Sequence, residues 1–111
     1  MRYTKKRHLS DIKRAIGEIL ETKISDDTIK NVSITDITID DDFTFAKVYF
    51  MTRDSDYKTL EEKMNKASSF IRRELANAID LRNTPTLKFV YDDTMDYAKK
   101  IDNIIESEKN E

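Results

Sequence analysis

The chain contains no cysteine. Disulfides, thiolate zinc sites and thiol nucleophiles are excluded together, and a reducing cytosol suits such a sequence. Gly17 is the only glycine and Pro85 the only proline, so there is no glycine-rich phosphate loop and no flexible linker. His8 is the only histidine, it sits in a basic segment, and no candidate nucleophile stands beside it. That leaves acid–base or covalent catalysis without its players, and the chain reads as non-enzymatic. No apolar run approaches the ~20 residues needed to span a bilayer. The basic start, MRYTKKRHLSDIKR, is not followed by a hydrophobic signal core. The expectation is a cytoplasmic protein with no membrane contact, no cofactor, no metal and no small-molecule substrate.

What the sequence does have is charge. Of its 111 residues, 38% are charged and 38% hydrophobic, which describes a small, soluble domain with one modest core. Residues 1–106 read as a single domain and a monomer, and 107–111 as a frayed tail. The net charge of −2 conceals an asymmetry. Residues 1–14 carry Arg2, Lys5, Lys6, Arg7, Lys13 and Arg14 against Asp11 alone, a net +5 that leaves −7 for the rest. One positive surface on an acidic body is the pattern expected where a single face meets a polyanion; a merely solvated basic N-terminus gives it too.

Leu9, Ile12, Ile16, Ile19 and Leu20 predict a first helix over about residues 5–23, with the pairs Lys6/Lys13 and Arg7/Arg14 along its exposed side. The stretch ISDDTIKN ends it with turn-forming Asp and Asn. VSITDITI and FTFAKVYFMT predict two strands of a hairpin, with Asp40, Asp41 and Asp42 as the polar turn. The apolar phase slips between Ile34 and Ile37, which predicts a bulge or twist. The second strand carries apolar residues on both faces and is expected to be covered on both.

Leu60, Met64, Ala67, Ile71, Leu75 and Ala78 or Ile79 come next at steps of three and four, predicting one continuous helix. Thr59 and Glu62 have capping-box spacing, with Asp56 as a rival N-cap. Pro85 forces an exit from helix. TLKFVY predicts a third strand, and Tyr97, Ile101 and Ile104 a short C-terminal helix. This order predicts an α+β fold, a three-stranded sheet with helices packed on one face.

Asp92, Asp93 and Asp96 have the D-D-x-x-D spacing of some magnesium–diphosphate sites. They lie where a strand ends and a helix begins, however, and no second acidic motif faces them, so capping of backbone amides is the reading adopted. Nucleic-acid binding finds more support. Arg72, Arg73 and Arg82 join the basic first helix, and arginine's planar fork of donors matches phosphate oxygens. The small side chains Ser68 and Ser69 allow close approach of another backbone. A solvated helix face, with pairs such as Glu62 and Lys66, is the alternative.

The stretch from Ala67 to Asp92 resembles the ribosome-binding factor A family of bacterial small-subunit maturation factors. The matching residues are Phe70-Ile71-Arg72 with Leu75, Leu81-Arg82 with Thr84-Pro85, then Leu87, Phe89 and Tyr91-Asp92. Upstream, Ala46-Lys47-Val48-Tyr49 matches the family's second strand, and Gly17-Glu18-Ile19-Leu20 its opening helix. The resemblance implies a KH-like fold of the second topological type, ordered helix–strand–strand–helix–kink–helix–strand. In the family an Ala-x-Gly kink separates the two central helices; Ala67-Ser68-Ser69 falls there, with Ser69 in place of the glycine. The chain also has Asp26-Asp27-Thr28 where the family tends to have Asp-Pro-Arg.

The resemblance further implies a non-catalytic assembly factor that binds free 30S small ribosomal subunits. Such a factor assists late 5′-end processing of 16S rRNA and matters for growth in the cold. On this reading Arg7, Lys13, Arg14, Arg72, Arg73 and Arg82 contact phosphates, while Ser68 and Ser69 permit close backbone approach. Two rivals are a KH-like module for other RNA, and a protein–protein adaptor using the acids of 40–42 and 92–96.

Overall fold

The computed structural model describes residues 5–81 and 83–94. Helix α1 spans Lys5–Thr22 and is succeeded by a single-turn helix α2 at Asp27–Lys30. Strands β1 (Ser33–Ile39) and β2 (Phe45–Met51), helices α3 (Tyr57–Lys66) and α4 (Ser68–Ala78), and strand β3 (Thr86–Tyr91) complete the order. The sheet runs β1-β2-β3, with β1 antiparallel and β3 parallel to the central β2. α1 packs on β1 and α4, and both α3 and α4 pack on β3, so the helices form one layer on one face. This is the KH-like arrangement of the second type.

The predicted stripe of α1 is buried: Ile12, Ile16, Ile19 and Leu20 meet Val48, Phe50, Leu87 and Phe89 from the sheet. Met64, Ile71 and Leu75 of α3 and α4 close the same core. Each fully buried side chain of this size contributes about 1.5–3 kcal/mol, so the layer contact carries the fold. The register of β1 on β2 shifts between Ile34 and Asp36, which is the bulge announced by the slipped apolar phase. The β1–β2 loop is tied by Asp40, whose carboxylate accepts from the amides of Thr44 and Phe45 and from the Thr44 hydroxyl. Phe43 in that loop has a left-handed φ of 57°.

Three expectations need correction, and one open choice resolves. The stretch after α1 is not turn alone: Asp26 caps α2, its carboxylate accepting from the Thr28 amide at 3.0 Å. The N-cap of α3 is Asp56, which accepts from the Thr59 amide at 3.2 Å, rather than a Thr59/Glu62 box. The central helical pattern is broken. Ala67 sits at φ −86°, ψ 1°, in the bridge region, and separates α3 from α4 without a change of hydrophobic phase. This is the kink that the family resemblance implied, placed on alanine and made without glycine. Finally, among the described residues β2 is covered on one face only: Ala46, Val48 and Phe50 are buried, whereas Phe45 is 41% exposed. The predicted C-terminal helix (Tyr97, Ile101, Ile104), Asp96 and the tail lie outside the described residues.

Candidate nucleic-acid interface

β3 is an edge strand, and half of its backbone groups face away from β2. Side chains from α3 and α4 meet them in a row. Glu61 accepts from the Tyr91 amide at 2.8 Å. Asn65 both accepts from the Phe89 amide at 2.8 Å and donates to the Phe89 carbonyl at 2.9 Å. The Ser68 hydroxyl donates to the Leu87 carbonyl at 2.6 Å, and Arg72 donates from Nε and Nη2 to the Thr84 carbonyl at 3.1 and 2.9 Å. Positions 61, 65, 68 and 72 form one helical stripe that runs antiparallel to β3 across the break. The small residue at 68 therefore lets α4 approach β3 closely, and Arg72, itself exposed, is fixed at the edge.

The other sequence-predicted residues divide between two directions. Ser69 and Arg73, one turn apart, are exposed on α4 beside Lys66. Arg7, Lys13 and Arg14 are exposed on α1. Lys13 leans to the β1 margin, its ammonium 3.4 Å from the Thr35 carbonyl, along a groove of about 530 Å³ between α1 and β1. Arg14 borders a cleft of about 350 Å³ shared by α1 and residues 78–80 at the end of α4. Arg82 lies outside the described residues.

The hairpin end of the molecule holds two of these groups, Arg7 and Arg72. His8, next to Arg7, packs edge-on against Phe43 of the β1–β2 loop with ring centroids 5.4 Å apart. Phe45 is the register partner of Thr86, so β3 begins at that same end, and Arg72 reaches Thr84 just before it. The start of α1, the finish of α4 and the start of β3 thus share the hairpin end of the fold. Arg7 and Arg72 lie toward it, Arg14 lines both the cleft with residues 78–80 and the groove beside Val32–Ile34, and Lys13 and Arg72 occupy opposite margins of the sheet.

Carboxylates stand among these cations. Asp11, Glu18 and Asp80 line the cleft beside Arg14. Among the described residues no ion pair engages Lys13, Arg14, Arg72 or Arg73. Exposed pairs elsewhere include Lys30–Asp27 and Lys63–Asp26. At the hairpin tip, the Thr44 hydroxyl and then the Phe45 amide hold the Asp40 carboxyl below its ordinary value. Asp92 is likewise lowered, first by the Thr35 hydroxyl at 2.6 Å and then by Thr94, whose amide it accepts at 3.0 Å. Asp92 therefore ties β1 to the end of β3 and caps the Thr94 amide, as its position suggested. No group of three or more acidic or histidine side chains able to hold a metal exists among the described residues.

Glu61 and Asn65 were not distinguished by the sequence reading. Their partners are backbone groups of a strand 24 to 30 residues away, and nothing in the local pattern points there.

Fold and surface together define a KH-like domain with cations collected on its helical layer. The family model described as Ribosome-binding factor A matches residues 4–105. A relative from Vesicomyosocius okutanii named Ribosome-binding factor A is 35% identical over 94 residues, covering 85% of this chain and 82% of the relative. The chain belongs to the ribosome-binding factor A family. The crystal structure of ribosome-binding factor A from Thermus thermophilus has a similar fold, with a TM-score of 0.73 at 19% identity, over 80% of this chain and 97% of that one. A Thermus thermophilus homology model fitted into a cryo-EM map of a 30S–RbfA complex has a TM-score of 0.68 at 18% identity, covering 80% and 96%.

Proposed function

We propose that this protein binds the free small ribosomal subunit and assists the last steps of its maturation, including processing of the 5′ end of 16S rRNA. Family membership along nearly the whole chain carries the reading. It is supported by the relative placed in a 30S complex and by the exposed cations Lys13, Arg14 and Arg73 on the helical layer, which form no ion pair among the described residues. The protein acts by binding energy and not by catalysis. It holds one rRNA conformation and shifts the folding equilibrium of the subunit only by its differential affinity for the two states. Arg7, Lys13, Arg14, Arg73 and Arg82 contact phosphates. Ser69 admits a close backbone, and Arg72 adds its remaining N–H groups. Ser68 helps indirectly by seating α4 on β3.

Maturation of rRNA in the cold is where such a holding function counts most, because misfolded RNA escapes more slowly there. The experiment is a sucrose-gradient profile of cells lacking the protein, grown in the cold, with primer extension across the 5′ end of the small-subunit rRNA. Accumulated free subunits with unprocessed ends are expected; normal rRNA would overturn the reading. Neutralising ~4 phosphates gives a slope of log K against log salt of roughly −3 to −4, whereas a flat response would point to an acidic-face adaptor.

A further inference from the structure

Among the described residues, the helices cover one face of the sheet and leave the other open. Along the central strand β2, the outward positions are Phe45, Lys47, Tyr49 and Met51, alternating with buried Ala46, Val48 and Phe50. Phe45 is 41% exposed, Lys47 is exposed and Tyr49 half-buried. On β3, exposed Lys88 is the register partner of Lys47, and half-buried Val90 that of Tyr49. Two ammonium groups therefore stand side by side on strands about 4.8 Å apart. Among the described residues neither has an ion-pair partner. Like charges at adjacent register positions work against the sheet, so the fold itself gains nothing from this pair.

We propose that the open sheet face is a platform for an unpaired RNA segment, with Phe45 and Tyr49 stacking on bases and Lys47 and Lys88 neutralising the phosphate between them. Aromatic rings in a cationic groove are the chemistry of single-stranded recognition, because every base has a stackable face. Phe45 and Tyr49 lie about 13 Å apart along the strand, with the lysine pair between them, which matches bases splayed along an extended strand and not a stacked duplex. The acids of this face bound the platform. Asp40–Asp42 form the hairpin tip beyond Phe45, Asp36 is the register partner of Tyr49, and Asp92 is held by Thr35 and Thr94 at the far end. The platform adds a second RNA contact to the helical-layer reading and does not depend on it.

The test is an NMR titration of the full chain with a short oligouridylate and with an RNA duplex of equal length, alongside fluorescence anisotropy. Resonances of Phe45, Lys47, Tyr49 and Lys88 are expected to shift with the single strand and much less with the duplex. Phe45→Ala is expected to weaken oligouridylate binding about tenfold. Lys47→Gln with Lys88→Gln is expected to make the salt slope shallower by about 1.4, the thermal midpoint holding or rising slightly as the like-charge pair is removed. Shifts confined to α1 and α4, unchanged affinity in both variants, or no binding at saturating oligonucleotide would each overturn the proposal. So would shifts produced by the subunit's protein fraction alone, which assign the face to a protein partner. Co-sedimentation of the unaltered chain with small subunits is scored separately and reports on the small-subunit reading whatever the oligonucleotide does.

Discussion

Replacing Asn65 by alanine removes the middle of the row that covers the β3 edge. Two hydrogen bonds to Phe89 disappear, at 2.8 and 2.9 Å, leaving a donor and an acceptor of the strand without a protein partner. At about 1 kcal/mol net for each bond, the loss is roughly 2 kcal/mol. Alanine returns about 0.5 kcal/mol through its better helix propensity. The expected destabilisation is therefore about 1.5 kcal/mol, which lowers the thermal midpoint by about 6 °C or more in a domain of this size. Urea unfolding should show a lower midpoint at unchanged slope, since the surface exposed on unfolding is the same. Amide hydrogen exchange should speed up at Phe89 more than at buried positions of β2. The matched control is Asn77→Ala on exposed α4, where no such bonds exist and stability should hold or rise slightly. If both variants unfold at the same urea concentration, the side-chain row does not stabilise the strand and the reasoning fails.

Three further outcomes are expected from the same geometry. The Asp92 carboxyl is lowered in the folded state by Thr35 and Thr94, so its stabilisation is complete above the ordinary carboxyl value of 3.8 and is lost as pH falls through the lowered one. Thr35→Val should flatten the acid limb of a stability–pH profile and move the Asp92 resonance toward ordinary titration; an unchanged resonance would refute the link. Ser69→Gly, which restores the family's glycine, should destabilise by about 0.5–1 kcal/mol, because residue 69 lies inside α4 and the break is already made at Ala67. A more stable glycine variant would show that the helix is strained there. Charge reversal at Arg14 and Arg73 together should weaken co-sedimentation with small subunits and reduce the salt slope by about 1.8, while undiminished binding would remove the helical layer from the interface.

Local pattern carried much of this fold into view. The stripe of α1, the strand Thr86–Tyr91 and the bulge before Ile37 arise from the spacing of Leu, Ile, Val and Phe, which reports directly on which face is buried. The break at Ala67 has no such signal, because Met64, Ala67, Ile71 and Leu75 keep phase across it. The backbone of one residue, Ala67, makes the break, and periodicity is blind to it. Cations were recognisable as a class, but their directions were not. Ser68 and Arg72 point to the β3 edge because α4 runs beside a strand whose position only the tertiary fold fixes. The same limit applied to β2. Apolar residues on both of its faces read as two-sided cover, whereas among the described residues only the face of Ala46, Val48 and Phe50 is buried.

The parallel pairing of β2 with β3 has a consequence for biosynthesis. Both α3 and α4 lie between these strands in the chain, so the central strand's second flank stays bare until Thr86–Tyr91 has been made. Closing so long a connection is entropically slow, and the half-built sheet meanwhile offers Ala46–Met51 as an adhesive edge. The nascent polypeptide is most vulnerable to sticking, and most in need of prompt completion, during translation of the two central helices.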